Sequence, residues 1–338
     1  DLHRRRHSFP TRRSSDLTMT IKSIAEVICE NLNISIQNLF LLSMTAPSSY
    51  KTYTIPKRSG GRRIIAQPTA ELKKIQRCIV THVLDSLPIS TVSTAYQKDL
   101  SIKENAEKHL GKQFILKMDF KDFFPSIQPY DLIQVLEKNS ISLSSNDRKF
   151  LTLLLFRRNK HNGFELSIGA PSSPIISNVV MYDFDIMVKA FCDEKNVSFT
   201  RYADDLTFSS NNHDIIKSVP SFIEKCTKDI VNPRLKINNE KTHIISKGRS
   251  QRVTGIVLTH DNNISIGRSL RKKIRVMLHI YYHNSLDERK IPYLHGIVSH
   301  ARNIEPEFFM KLVNIYGNNF FITLAKNSFA ISKAQKNM

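Results

Sequence analysis

The stretch from Phe199 to Ser209, F-T-R-Y-A-D-D-L-T-F-S, sets two adjacent aspartates, Asp204 and Asp205, between apolar, β-prone flanks. Such a pattern on both sides of a polar pair predicts a hairpin with the acids at its bend. Two carboxylates held side by side repel, and taking them out of water is costly unless a cation offsets the charge. A third acid, Asp119, ends the apolar run Phe114 to Phe120, which is bounded by Gly111 and predicts a buried strand. Carboxylates at strand ends suit a hard divalent ion such as Mg2+, which binds carboxylates, water and substrate phosphates. Two such ions could serve an in-line phosphoryl displacement. Taken alone, an Asp-Asp pair is an ordinary water-exposed turn, so its surroundings decide.

The rest of the chain predicts mixed α and β structure. Ile21, Ile24, Ala25, Ile28 and Leu32 recur at helical spacing, and a second short helix follows to Leu42. Tyr53 to Pro68 alternates around Ser59-Gly60-Gly61, a β-hairpin with a basic tip. A helix is expected from Ala70 to Leu87, stopped by Pro88, and another from Ser172 or Ser173 through Pro174 to Phe191. With 41% hydrophobic and 9% aromatic residues in 338, wholesale disorder is excluded. No apolar run reaches the roughly 18 residues a membrane helix needs. Cys29, Cys78, Cys192 and Cys226 form no C-x-x-C pair, which fits a reducing, cytoplasmic setting.

The formal charge of +20 calls for a polyanionic partner, nucleic acid or an anionic membrane surface. Residues 7 to 17 resemble the translation of a sequencing-adapter oligonucleotide. Residues 1–17 are therefore expected to be non-native, with the natural start at Met19; the rival is a basic arm that binds RNA. The segment carries five Arg against two Asp, so the charge without it is still +17. Residues 246 to 290 hold ten Lys plus Arg against three acids. Within them Arg268, Arg271, Lys272 and Arg275 fall at i, i+3, i+4 and i+7, one helix face that could lie along phosphates. His279 and His283 also share a face, with no third ligand nearby to make a metal site.

Three segments in order, K-M-D-F-K-D-F-F-P-S-I around Asp119, G-A-P-S-S-P from Gly169 and Y-A-D-D from Tyr202, resemble the palm motifs of reverse transcriptases. The resemblance implies an α+β right-hand polymerase: fingers, an antiparallel palm sheet and a mainly helical thumb. The implied boundaries are 18–113 for N-terminal helices and fingers, 114–248 for the palm with inserted fingers helices, and 249–338 for an RNA-binding thumb. It also implies that Asp119, Asp204, Asp205 and the Phe120 carbonyl bind two Mg2+ ions, and that Lys241 protonates the pyrophosphate leaving group. Lys57, Arg62 and Arg63 would clamp the deoxynucleoside triphosphate, and Phe124 would exclude a ribose 2'-hydroxyl. Asp122 is read as structural or solvent-facing. Where relatives often have L-P-Q-G, this chain has Leu166-Ser167-Ile168-Gly169, so Ile168 removes a nucleotide-contacting glutamine and alters nucleotide handling.

Two shorter signatures resemble retron enzymes: N-A-x-x-H at Asn105 to His109, and V-T-G at Val253, Thr254 and Gly255. The resemblance implies that these residues, with Arg252 and the basic helix face, bind nucleic acid. It further implies a structured noncoding RNA of msr-msd type as template and 2'-hydroxyl primer, a branched RNA-linked DNA product, and an associated effector protein in antiphage defence, with no membrane partner. The alternatives are a group II intron-like or other bacterial reverse transcriptase, or an RNA-binding scaffold without turnover.

Overall fold

The computed structural model describes residues 23–57 and 60–337. The segment 1–17, Met19, Ile21 and Ser59 lie outside the described residues. Helix α1 (Ile24–Leu32) starts at a capping box in which the Ser23 hydroxyl accepts from Glu26 N–H and Ser23 N–H donates to the Glu26 carboxylate at 2.8 Å. Its buried Ile24, Ala25 and Ile28 reproduce the expected face. Helix α2 (Ile36–Thr45) is capped by Ser35. Strands β1 (Tyr50–Pro56) and β2 (Arg62–Pro68) form the expected antiparallel hairpin, with Pro56 opposite Arg62. Helix α3 (Ala70–Ile79) continues as a π-turn over Val80–Leu84, so the helical path ends short of Pro88. Helix α4 (Ile102–Glu107) again opens with a capping box, from Ser101 and Glu104.

Strand β3 (Phe114–Asp119) leads into α5 (Phe123–Ser126), α6 (Pro129–Lys138), α7 (Ser145–Leu155) and the short hairpin β4 (Arg157–Arg158) and β5 (Phe164–Glu165). The single helix expected from Ser172 to Phe191 is two, α8 (Ser173–Val180) and α9 (Tyr182–Glu194). The break is at buried Met181 (φ −82°, ψ 0°), and both segments still bury Ile176, Val179, Phe184 and Val188. Apolar spacing does not register one residue leaving helical geometry. Strands β6 (Ser198–Tyr202) and β7 (Asp205–Ser210), helix α10 (His213–Asp229) and strand β8 (His243–Ser246) follow. The antiparallel sheet has the order β6-β7-β3-β8.

The C-terminal region begins with strand rather than helix: β9 (Gln251–Val253), β10 (Ile256–Leu258) and β11 (Ile264–Ser265) form a small antiparallel sheet. Thr254 (φ 47°) and Gly255 (φ 90°), the last two residues of the V-T-G signature, make the turn between β9 and β10, and two successive left-handed residues match a two-residue hairpin. Helices α11 (Arg268–Tyr282), α12 (Ile291–Ile304), α13 (Pro306–Tyr316) and α14 (Asn318–Asn337) complete the chain.

Two apolar cores sit on either side of β3. Leu116, Met118 and Phe120 point into the larger one with α1, α3 and α6 to α10, while Ile115 joins α4 and the C-terminal elements in the other. That is the period of two along a strand buried on both faces. Each fully buried Leu or Ile contributes about 1.5–3 kcal/mol, so β3 is held from both sides. Among the described residues no helix is long and apolar enough to cross a membrane.

Candidate active site

Strands β3 and β7 pair so that Asp119 lies directly opposite Asp205, and β6 brings Tyr202 to the other flank of Asp205. Ala203, left-handed at φ 57°, and Asp204 reverse the chain between β6 and β7. The Phe120 N–H donates to the Asp204 carbonyl at 3.2 Å, and the Asp119 carbonyl accepts from Asn238 N–H at 2.8 Å. Backbone bonds thus fasten three carboxylates, far apart along the chain, to one end of the sheet. The Phe120 ring packs against Phe123 and Phe184, centroids 5.6 and 5.5 Å away, while among the described residues no donor reaches its carbonyl.

The electrostatics match that crowding. Burial, then the Asp119 charge, pushes the Asp204 carboxyl above its ordinary value. Burial, then the charges of Asp204 and Asp119, pushes Asp205 up to about 6. Lys241 Nζ stands 2.6 Å from Asp119 Oδ2, and that hydrogen bond raises the lysine in turn. Lys241 contacts the trio and the Arg63 and Lys117 charges also act on it, yet Asp204 and Asp205 stay raised, a crowding of negative charge that a divalent ion would offset. Among the described residues no three acid, His or Cys side chains close up into a ready cage. Mg2+ asks for less, since it is held by one or two carboxylates together with waters and substrate phosphates. The donor set here, carboxylates with a free main-chain carbonyl, fits it. Asp122, exposed and left-handed at φ 49°, stands at the N-terminus of α5, as the sequence implied.

Beside the acids lies a cavity of about 370 Å³ lined by Gln67, Lys73, Tyr96, Phe124, Ile168 and Gly169, among others. The Phe124 ring is 6.5 Å from that of Tyr96. Ile168 gives its carbonyl to Ala66 N–H at 2.9 Å, so it anchors the β1–β2 hairpin whatever its side chain does. Gly169 has φ +127°, and a Cβ there would stand 3.0 Å from the Ala66 carbonyl oxygen. Lys57, Arg62 and Arg63 are exposed on that hairpin; Arg62 Nε donates to Thr54 Oγ1 at 2.6 Å, and the Arg63 charge is felt at Asp204. Tyr96 had no sequence signal, because a left-handed residue (φ 61°) in an irregular segment leaves no periodic trace. Ser167 and Ser173, also on the cavity wall, carry buried hydroxyls with no hydrogen-bond partner among the described residues.

The two short signatures are placed differently from the sequence expectation. Asn105 and His109, expected on nucleic acid, are wholly buried. The His109 ring bridges Ser209 Oγ and Thr200 Oγ1, each at 2.8 Å, and Asn105 Nδ2 donates to Thr254 Oγ1 at 3.4 Å. Val253 is buried in the second core, whereas Arg252 and Gly255 are exposed. His109 is satisfied at both nitrogens, while Asn105 bonds only through Nδ2 and its buried Oδ1 has no partner among the described residues, so this closed seam serves packing between α4, the central sheet and the small sheet. On α11, Arg268, Lys272 and Arg275 are exposed, but Arg271 is paired with Glu305. Arg271 and Arg275 both lie over the Phe308 ring, 5.7 and 5.3 Å from its centroid, so half of the expected phosphate-facing row packs on α13. His279 and His283 stack edge to face at 4.5 Å, and among the described residues neither belongs to a metal-sized cluster.

A profile of the family described as "Reverse transcriptase (RNA-dependent DNA polymerase)" matches residues 55–279. The Escherichia coli retron Ec83 reverse transcriptase is 36% identical over 291 residues, covering 85% of this chain and 93% of that protein. The Escherichia coli retron Ec73 reverse transcriptase is 33% identical over 281 residues, covering 81% of this chain and 89% of that protein. The retron Ec86 reverse transcriptase, from the same species, is 31% identical over 319 residues, covering 89% and 95% respectively. The profile match spans the paired aspartates and the cavity wall, and with these relatives the chain belongs to the retron-type reverse transcriptases, right-hand RNA-directed DNA polymerases.

Proposed function

We propose that this polymerase copies a structured noncoding RNA of msr-msd type, starting from the 2'-hydroxyl of a guanosine within it. The product is single-stranded DNA joined to RNA by a branch. The observation that carries the catalytic part is Asp119 lying opposite Asp205, with Asp204 on the adjoining turn and both turn acids raised by their neighbours. Two Mg2+ ions bound there would activate the attacking hydroxyl and offset charge on the leaving oxygen. Asp119, Asp204, Asp205 and the Phe120 carbonyl are the ligands in this reading. Lys241, within reach of Asp119, gives its proton to the departing pyrophosphate as general acid.

Lys57, Arg62 and Arg63 hold the triphosphate, where fixed positive charge matches charge that builds up during transfer. Phe124 closes the cavity against a 2'-hydroxyl, and Ile168 and Gly169 form its wall. Residues 18–113 serve as N-terminal helices and fingers, 114–248 as palm, and 249–338 as thumb. The exposed Arg252, Arg268 and Lys272 grip RNA by its phosphates and shape. The four unpaired cysteines suit work in the cytoplasm, beside an effector protein in an antiphage module.

Asp205→Asn is expected to reduce primer extension with Mg2+ and deoxynucleotides by about 1,000-fold or more, with RNA binding retained. Undiminished synthesis would overturn the site. Nucleic acid copurifying with the parent enzyme should contain DNA linked to a guanosine 2'-oxygen; DNA with only linear ends would overturn the retron-specific product.

A further inference from the structure

Arg201 stands two residues before the acidic turn, and its side chain is 0% exposed, as is that of Asp185 on α9. They meet fork on fork: Arg201 Nε donates to Asp185 Oδ1 and Nη2 to Oδ2, both at 2.7 Å. The remaining nitrogen, Nη1, donates to the Ala203 carbonyl at 3.2 Å and to Asn178 Oδ1 at 3.3 Å. Asn178 on α8 is itself held, accepting from Ser93 Oγ and donating to the Ala95 carbonyl, both at 2.9 Å. The Arg201 backbone is pinned as well, its N–H on the Val92 carbonyl at 2.9 Å and its carbonyl on Thr94 N–H at 2.8 Å. The guanidinium is thus fixed by two helices and a loop before it touches the turn.

What it touches is the strained residue. Ala203 has φ 57°, a region that residues with a Cβ adopt only when the surroundings impose it. A buried ion pair gives up so much hydration that apolar residues of similar volume are often as stabilising. An apolar pair could fill the same space, but it could not hold a carbonyl in place.

We infer that Arg201, locked by Asp185, is a positioning residue for polymerisation, bracing the left-handed turn at Ala203 so that Asp204 and Asp205 stand opposite Asp119. The inference rests on the reading of those acids as catalytic. It separates two jobs of one side chain, filling a core and aiming a turn, and these can be tested apart.

The double variant Asp185→Leu with Arg201→Met replaces the pair by apolar bulk. Arg201→Lys keeps a charge for Asp185 but loses the fork that also reaches Ala203. Asp205→Asn is measured alongside. For each, thermal unfolding, RNA binding, and kcat and KM for deoxynucleotide are determined. The double variant should melt close to the parent, bind RNA normally and keep its KM, while kcat per folded molecule falls about 100-fold. Arg201→Lys should lose kcat in the same way, and it decides the matter if the double variant does not fold. A kcat per folded molecule within about threefold of the parent, a change of under 1 kcal/mol in barrier, would overturn the positioning role. If Asp205→Asn still synthesises DNA, the catalytic assignment falls and this inference with it. If Asp205→Asn is silent while the double variant works, only the role of Arg201 fails.

Discussion

A buried histidine whose two ring nitrogens both meet hydroxyls can stay neutral and fully bonded, because one hydroxyl can donate to the bare nitrogen while the other accepts from the N–H. His109 is such a residue: burial, then the charges of Lys108 and Lys112, holds its imidazole down at about 3, against an ordinary 6.5. On acidification the unfolded chain takes up the proton first, so stability is lost as pH falls from about 6.5 towards 3. By pH 5 the loss from this one group is about 2 kcal/mol. Urea unfolding at pH 7.5 and pH 5.0 should therefore show the parent losing about 2 kcal/mol more than His109→Gln, which cannot gain a proton. Equal losses would mean that His109 reaches solvent. The sequence marked His109 and Asn105 as important but pointed them at nucleic acid. Their partners, Thr200, Ser209 and Thr254, are about 90 to 150 residues away, and a local pattern carries no record of such distant pairing.

Among the elements, legibility followed length. Strand β3 and the β6–β7 bend stand out as apolar, β-prone runs and the β1–β2 hairpin as an alternating one, each several residues long, and all formed as expected. The strands of the small sheet are only two or three residues long, too short to leave a pattern, so the C-terminal region read as mainly helical with no strands assigned. The seating of one element on another was equally hidden. The β1–β2 hairpin docks through Ala66 on Ile168 and Gly169, where a side chain would press on the Ala66 carbonyl at 3.0 Å. Gly169→Ala adds that clash to a backbone conformation (φ +127°) that costs a residue with a Cβ about 1–3 kcal/mol. The expected result is a hairpin displaced from the cavity, seen as a rise of about tenfold in KM for deoxynucleotide. An unchanged KM would show that the hairpin is seated independently of this contact.

At the scale of the molecule, the two cores share β3, so the C-terminal elements and the central sheet are not separable bodies. Ile115 and Ala106 belong to the C-terminal core, while Leu116 and Met118, on the same strand as Ile115, belong to the other. The cations of the described residues are distributed over this frame, and the frame decides which of them stay exposed to a polyanionic partner. Arg268 and Lys272 project into solvent from α11, whereas Arg271 is spent on Glu305, which also accepts from Ile266 N–H at 3.2 Å. Neutralising a phosphate releases counterions, so each lost contact lowers the slope of log affinity against log salt by about 0.7 to 0.9. Arg268→Gln and Lys272→Gln should each weaken RNA binding with that change in slope and leave the melting temperature within about 1 °C. Arg271→Gln should do the reverse, lowering the melting temperature by about 2–4 °C with the salt slope intact, because it strips Glu305 of its partner at the joint between β11, α11 and α13. Measured together, three single substitutions on one helix would separate cations proposed to hold RNA from the one that holds α11 to the start of α13, and an identical salt slope in all three would remove these positions from the proposed RNA-binding surface.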